Sequence, residues 1–218
     1  YSPEQRKTLF ECAARSNGLY GEEVLKADAE ARQLDVRDVR VPDGGAMLML
    51  AVAGTKSADA DKIAVELARM PVTSPKVFEG PGAKNRVDAL TLAFAGHSKA
   101  VLDKLTQYDG TYIGDEKTPD LQQYMQNASD LGTLFKMTLF NPDSSYSNVL
   151  EQRVVEYAGG LAKTINQAGA NGEQVGQMAM LQASLTDGVR QGYDKLAKDQ
   201  ASQKEVLGFL LDIAIRSV

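Results

Sequence analysis

Leu90-Thr91-Leu92-Ala93-Phe94-Ala95-Gly96-His97-Ser98-Lys99-Ala100 is the segment on which the fold turns. Leu90, Leu92 and Phe94 alternate with Thr91, Ala93 and Ala95, a period of two that suits a half-buried strand. Gly96-His97-Ser98-Lys99 follows, and then Val101, Leu102 and Leu105 at helical spacing. Strand, Gly-x-Ser turn and helix together form the setting of a nucleophile elbow, which lifts a serine hydroxyl above a sheet. The fifth position of the G-x-S-x-G pattern is Ala100.

A second segment has the same form. Leu48-Met49-Leu50-Ala51-Val52-Ala53-Gly54-Thr55 aligns with Leu90 to His97, and Gly54 and Gly96 stand 42 residues apart. Ala46 to Ala53 reads as a buried strand. Two successive strand–helix units predict parallel neighbours in one short sheet, although two buried segments can also look alike by chance. The rest of the front half contributes helices at 3–16, 21–34 and 59–70. A short strand is expected around Val36, Val39 and Val41, and an extended piece at Val77-Phe78 in the proline-rich loop 70–84.

Beyond Gly114 the pattern is helical only. Thr118-Pro119-Asp120 starts a helix whose apolar set is Leu121, Tyr124, Met125, Leu131, Leu134, Phe135 and Leu139. Tyr146, Leu150, Val154, Tyr157, Leu161 and Ile165 step by three and four, as do Val175, Met178, Leu181, Leu185, Val189, Tyr193 and Leu196. Ser202-Gln203-Lys204-Glu205 is a capping box for a last helix, 206–215, which is apolar nearly all round. The expected architecture is an α/β front, residues 1–116, with a mostly parallel sheet, and a helical-bundle rear, residues 117–218. The boundary is placed near Gly114 to Thr118.

Composition narrows the function. Of the 218 residues 43% are hydrophobic and 24% charged, ordinary values for a globular chain. A net charge of −5 provides no basic footprint for nucleic acid. No apolar run approaches the length that spans a bilayer. Cys12 is the only cysteine and His97 the only histidine. No disulfide can form within the chain, and no cluster has metal-ligand spacing, so no metal or cofactor is expected. Cys12 lies mid-helix and reads as a buried, inert thiol. A start at Tyr1, with no signal-peptide pattern, suggests a piece excised from something longer.

With these residues in view, Ala51-Val52-Ala53-Gly54-Thr55 resembles the A-F-R-G-T strand end of class 3 lipases, and Gly96-His97-Ser98-Lys99-Ala100 resembles their G-H-S-x-G elbow. The resemblance covers residues 46–105. It implies an α/β-hydrolase fold and a serine hydrolase acting on carboxylic esters or lipids. Ser98 would be the nucleophile, while Thr55 and the backbone N–H of Lys99 would hold the oxyanion. The family arginine is replaced by Ala53, and no histidine follows Ser98. A serine hydroxyl needs an adjacent base, and His97 matches the family's non-catalytic histidine. The base then lies elsewhere, the site is degenerate, or the match is accidental.

The rear half suggests a different class. Its helices hold Gly159-Gly160, Gly176, Gly188 and Gly192, each costing about 0.5–1 kcal/mol relative to alanine. Such glycines suit close helix contacts or a bundle that rearranges. Val206, Leu207, Leu210 and Leu211 would then meet a protein partner, and the chain would be an interaction or scaffold module of a secreted bacterial effector or toxin.

Overall fold

The computed structural model describes residues 44–107, 121–168, 172–196, 206–211 and 213. Among them there is no strand: every regular element is a helix. The chain divides into two compact units, Tyr1–His97 and Ser98–Val218. The expected boundary at Gly114 to Thr118, the helices at 3–16 and 21–34, the strand at 36–41, Cys12 and the capping box at 202–205 lie outside the described residues.

The α/β front with its parallel sheet is overturned. Both expected strands are helices: α1 spans Gly44–Ala53 and α3 spans Ala83–Gly96. The reason is visible in the residue types. Seven of the eight residues from Ala46 to Ala53 are Ala, Met or Leu, with Val52 the only β-branched residue, so intrinsic propensity favours a helix. In α3 the apparent alternation is incidental. Val87, Leu90, Thr91 and Phe94 are buried at spacings of three and four, and Ala89, Ala93 and Ala95 bury the neighbouring faces. A helix covered on most sides loses its polar stripe, and short apolar runs then fit either period. Thr91, the one β-branched residue from Leu90 to Ala100, returns its hydroxyl to the Val87 carbonyl at 2.8 Å.

Between these two lies α2, Ala58–Thr73. Ser57 caps it, accepting from the Ala60 N–H at 3.1 Å, and Asp59 and Asp61 lie in its first turn where the helix dipole favours acids. Ile63, Ala64, Leu67, Ala68 and Met70 form its buried face. The extended piece expected at Val77-Phe78 is instead a 3₁₀ turn, Pro75–Phe78, with Phe78 buried. Gly80 and Gly82 follow with φ of +72° and +80°, a left-handed backbone that glycine adopts freely. Arg86 closes this loop by donating to the carbonyls of Glu79 and Pro81 at 2.8 and 3.0 Å.

The two look-alike segments turn out to be packing partners, since α1 lies against α3. A Cβ on Gly96 would stand 2.8 Å from the Ala53 carbonyl oxygen, so the end of α3 abuts the end of α1 at Ala53. Gly96 is required by this close crossing, whereas a Cβ on Gly54 would meet only the Leu50 and Ala51 carbonyls, at 3.7 and 3.9 Å.

The second unit opens with α4, Ser98–Leu105, the helix expected after the Gly-x-Ser turn at the end of the front. It also carries helices expected of the rear: α5, Leu121–Thr138; α6, Ser147–Ala168; and α7, Gly172–Leu196. The core is built from Leu131, Leu134 and Phe135 of α5, Leu150, Val154 and Ala158 of α6, and Leu181 and Leu185 of α7. Val101 and Leu102 of α4 are fully buried as well. The ends of the expected stripes face outward, with Met125, Tyr146 and Val175 exposed.

The most extensive helix contact among the described residues of the second unit joins α5 to α7. Gly132 and Gly188 face each other there: a Cβ on Gly188 would come within 3.0 Å of the Gly132 carbonyl oxygen and of the Phe135 Cβ. A polar cluster fixes the register beside it. Gln191 donates to the Ser129 carbonyl and the Asp187 carboxylate at 3.2 and 2.6 Å, and accepts from Thr133 at 3.1 Å. Arg190 closes on the same carboxylate through Nε and Nη2 at 2.8 and 2.6 Å. Burial pushes the pKa of Asp187 up, but the hydrogen bonds from Gln191 and Arg190 and the guanidinium charge outweigh it and hold the carboxyl below its ordinary value.

Candidate functional site

The residues singled out around the Gly-x-Ser turn occupy helical surroundings. Residues 83–96 are helical, so no strand leads into Ser98; His97 caps the end of α3 and Ser98 is the first residue of α4. The hydroxyl of Thr55 donates to the Ala51 carbonyl at 2.7 Å, a local bond across the last turn of α1. Lys99 extends into solvent and bonds Asp103 one turn on, at 2.5 Å. Thr55 belongs to the first unit, and Ser98 and Lys99 to the second.

His97 is committed to structure. Its ring is almost fully buried; Nε2 lies 2.8 Å from the Val52 carbonyl oxygen and Nδ1 lies 2.7 Å from Asp61 Oδ1. The carbonyl can only accept, so Nε2 donates to it. Both ring nitrogens are therefore engaged, and the side chain ties the end of α1 and the start of α2 to the cap of α3.

Ser98 and Lys99 do line a cavity, a cleft of about 520 Å³ formed within the second unit by α4, α6 and α7. From α4 it takes these two residues and Asp103; from α7 it takes Gln174 and Gln177. The face contributed by α6 runs from Arg153 through Tyr157, Gly160 and Leu161 to Thr164. Arg153 is paired with Glu156, 2.8 Å away. The Tyr157 hydroxyl lies 3.3 Å from Thr106 Oγ1, and burial together with the charge of Asp103 pushes its pKa up to about 12. It is therefore a neutral donor and acceptor at physiological pH. Sequence reading singled out Ser98, Lys99, Gly160, Tyr157 and Leu161, each for another reason. It missed Asp103, Arg153, Glu156, Thr164, Gln174 and Gln177, whose only signal was helical spacing along α4 and α6 and at the start of α7.

The other prominent surface is the last helical segment, residues 206–211. Phe209 is buried and meets Phe140 edge-on, with ring centroids 6.0 Å apart; Phe140 in turn meets Phe135 at 6.4 Å. Ile213, one turn beyond Phe209, is buried too. On the other side Leu207 and Leu211, also one turn apart, remain 67% and 60% exposed, with Val206 and Leu210 half-buried beside them. Of the four residues expected to meet a partner, Leu207 and Leu211 are the exposed ones.

Among the described residues no group of His, Cys, Asp and Glu is arranged to hold a metal ion. No described helix is long and apolar enough to cross a membrane. Comparison with protein-family models, with curated proteins and with solved structures yields no match to this chain.

Proposed function

We propose that this chain is a helical protein-interaction module whose docking face centres on Leu207 and Leu211. The observation that carries the reading is a helical segment anchored through Phe209 and Ile213 that leaves two large aliphatic side chains in water on its other side. Fully burying one leucine is worth about 1.5–3 kcal/mol, so a partner covering the exposed part of both, 67% and 60%, gains on the order of 2–4 kcal/mol before the costs of association. The i, i+4 spacing of Leu207 and Leu211 suits an apolar stripe on a helix of the partner protein. Ester hydrolysis has less support: residues 83–96 are a helix, and the one histidine has both ring nitrogens engaged.

The test compares the wild-type chain with Leu207→Glu/Leu211→Glu. Both variants should melt at similar temperatures, because these side chains are already solvated. Immobilised wild type should retain a partner from an extract of its native host that the double variant releases. Equal retention by the two chains would refute the assignment of this face. A fluorophosphonate probe that labels Ser98 in the wild type and fails on Ser98→Ala would overturn the non-enzymatic reading altogether.

A further inference from the structure

The cleft of the second unit has the makings of a recognition site of its own. Arg153, Tyr157, Gly160 and Thr164 follow one face of α6, and eleven residues at about 1.5 Å each give a trough about 16 Å long. Gly160 is its most informative residue. It lies inside a 22-residue helix, where glycine weakens the element, yet a Cβ there would meet nothing within 4 Å. Gly132 and Gly188 are explained by a helix crossing; Gly160 has no such neighbour and instead borders the cleft. Gly160 is exposed, and the space over it opens into the cleft.

The chemistry of the walls limits what that occupant is. Lys99 is paired with Asp103 and Arg153 with Glu156, so the lining holds two cations and two anions that already neutralise one another. No net charge invites an ion. The side amide of Gln177 and the hydroxyl of Ser98 supply both donors and acceptors, and Thr164, whose hydroxyl donates to the Gly160 carbonyl at 3.0 Å, still offers its oxygen as an acceptor; a peptide backbone demands both kinds of group at every residue. Leu161 and the half-buried Tyr157 ring add apolar surface. We propose that this cleft binds an extended, uncharged peptide segment of about five residues, its backbone passing close over Gly160. Five residues at about 3.3 Å each match the length of the trough. This site is separate from the Leu207–Leu211 face, and either can fail without the other.

The experiment measures binding of an array of N-acetylated, C-amidated, uncharged pentapeptides to the full 218-residue chain and to Gly160→Leu. At least one peptide should bind the wild type, and Gly160→Leu should weaken it tenfold or more while melting no lower than the wild type. Gly160→Ala adds a single methyl to the floor and guards against distortion by leucine; it should weaken the same peptide about threefold. Absence of any bound pentapeptide, or affinities within experimental error of wild type in both variants, overturns the proposal. Binding of a neutral trisaccharide such as chitotriose in place of every peptide overturns it equally.

Discussion

His97 shows how much one side chain can hold. It is buried at the junction of three helices of the first unit and makes two polar bonds, one to Asp61 and one to the Val52 carbonyl. His97→Ala would leave that carbonyl with one bond fewer and open a small cavity. We expect a loss of about 2–3 kcal/mol in urea unfolding, against less than about 0.5 kcal/mol for Ser98→Ala. Asp187 provides a prediction in pH. Its carboxyl is held below the ordinary range in the folded chain, so the stabilisation is present above that range and disappears as pH falls through the lowered value. Asp187→Asn should therefore flatten the loss of stability below about pH 4, as read from melting temperature against pH. These roles were hidden in the sequence. In the sequence His97 stood only as a match to a lipase histidine, and its partners lie 36 and 45 residues away.

Among the helices, glycines in similar settings divide by what stands opposite them. Gly188 faces Gly132, and a Cβ there would stand only 3.0 Å from the Gly132 carbonyl oxygen, so a methyl group forces the crossing to give by a few tenths of an ångström. Gly188→Ala should cost about 1–3 kcal/mol through overpacking, whereas Gly160→Ala should stabilise by about 0.5–1 kcal/mol through helix propensity. Thermal or urea unfolding of the two variants checks the contrast, and loss of stability in both would contradict it. The sequence marked Gly160 and Gly188 alike as interior glycines, because the distinction depends on a neighbouring helix. The same limit explains α1 and α3. Their apolar runs matched strand and helix templates equally, and the alternation of Leu90, Leu92 and Phe94 drew the wrong period. The composition, rich in Ala, Leu and Met, carried the right one.

Across the whole chain, the helices of the rear half were readable because one face of each is apolar and the other polar. Leu131, Leu134 and Phe135, Leu150 and Val154, and Met178, Leu181 and Leu185 occupy the core at the spacings expected. In the front half α2 had the same contrast and was expected as a helix, but α1 and α3 lacked it, so the fold class there was misread. The cleft was not readable at all, since it exists only where α4, α6 and α7 meet. The exposed leucines lie between these cases: the all-apolar character of 206–211 announced a surface without showing which side Phe209 would bury. Phe209→Ala should therefore destabilise by about 3–5 kcal/mol, while Leu207→Glu should leave unfolding within about 0.5 kcal/mol of wild type.

The decisive quantity is the backbone conformation of residues 46–53 and 90–95, because a helical module and a strand-to-helix elbow require opposite answers there. Carbon-13 secondary chemical shifts, assigned on the full chain in solution, report it directly. Consecutive positive Cα shifts through both segments, unbroken from Ala83 to Gly96, are what the helical account predicts. Negative Cα shifts alternating with none of this helical continuity, above all from Leu90 to Ala95, would contradict it.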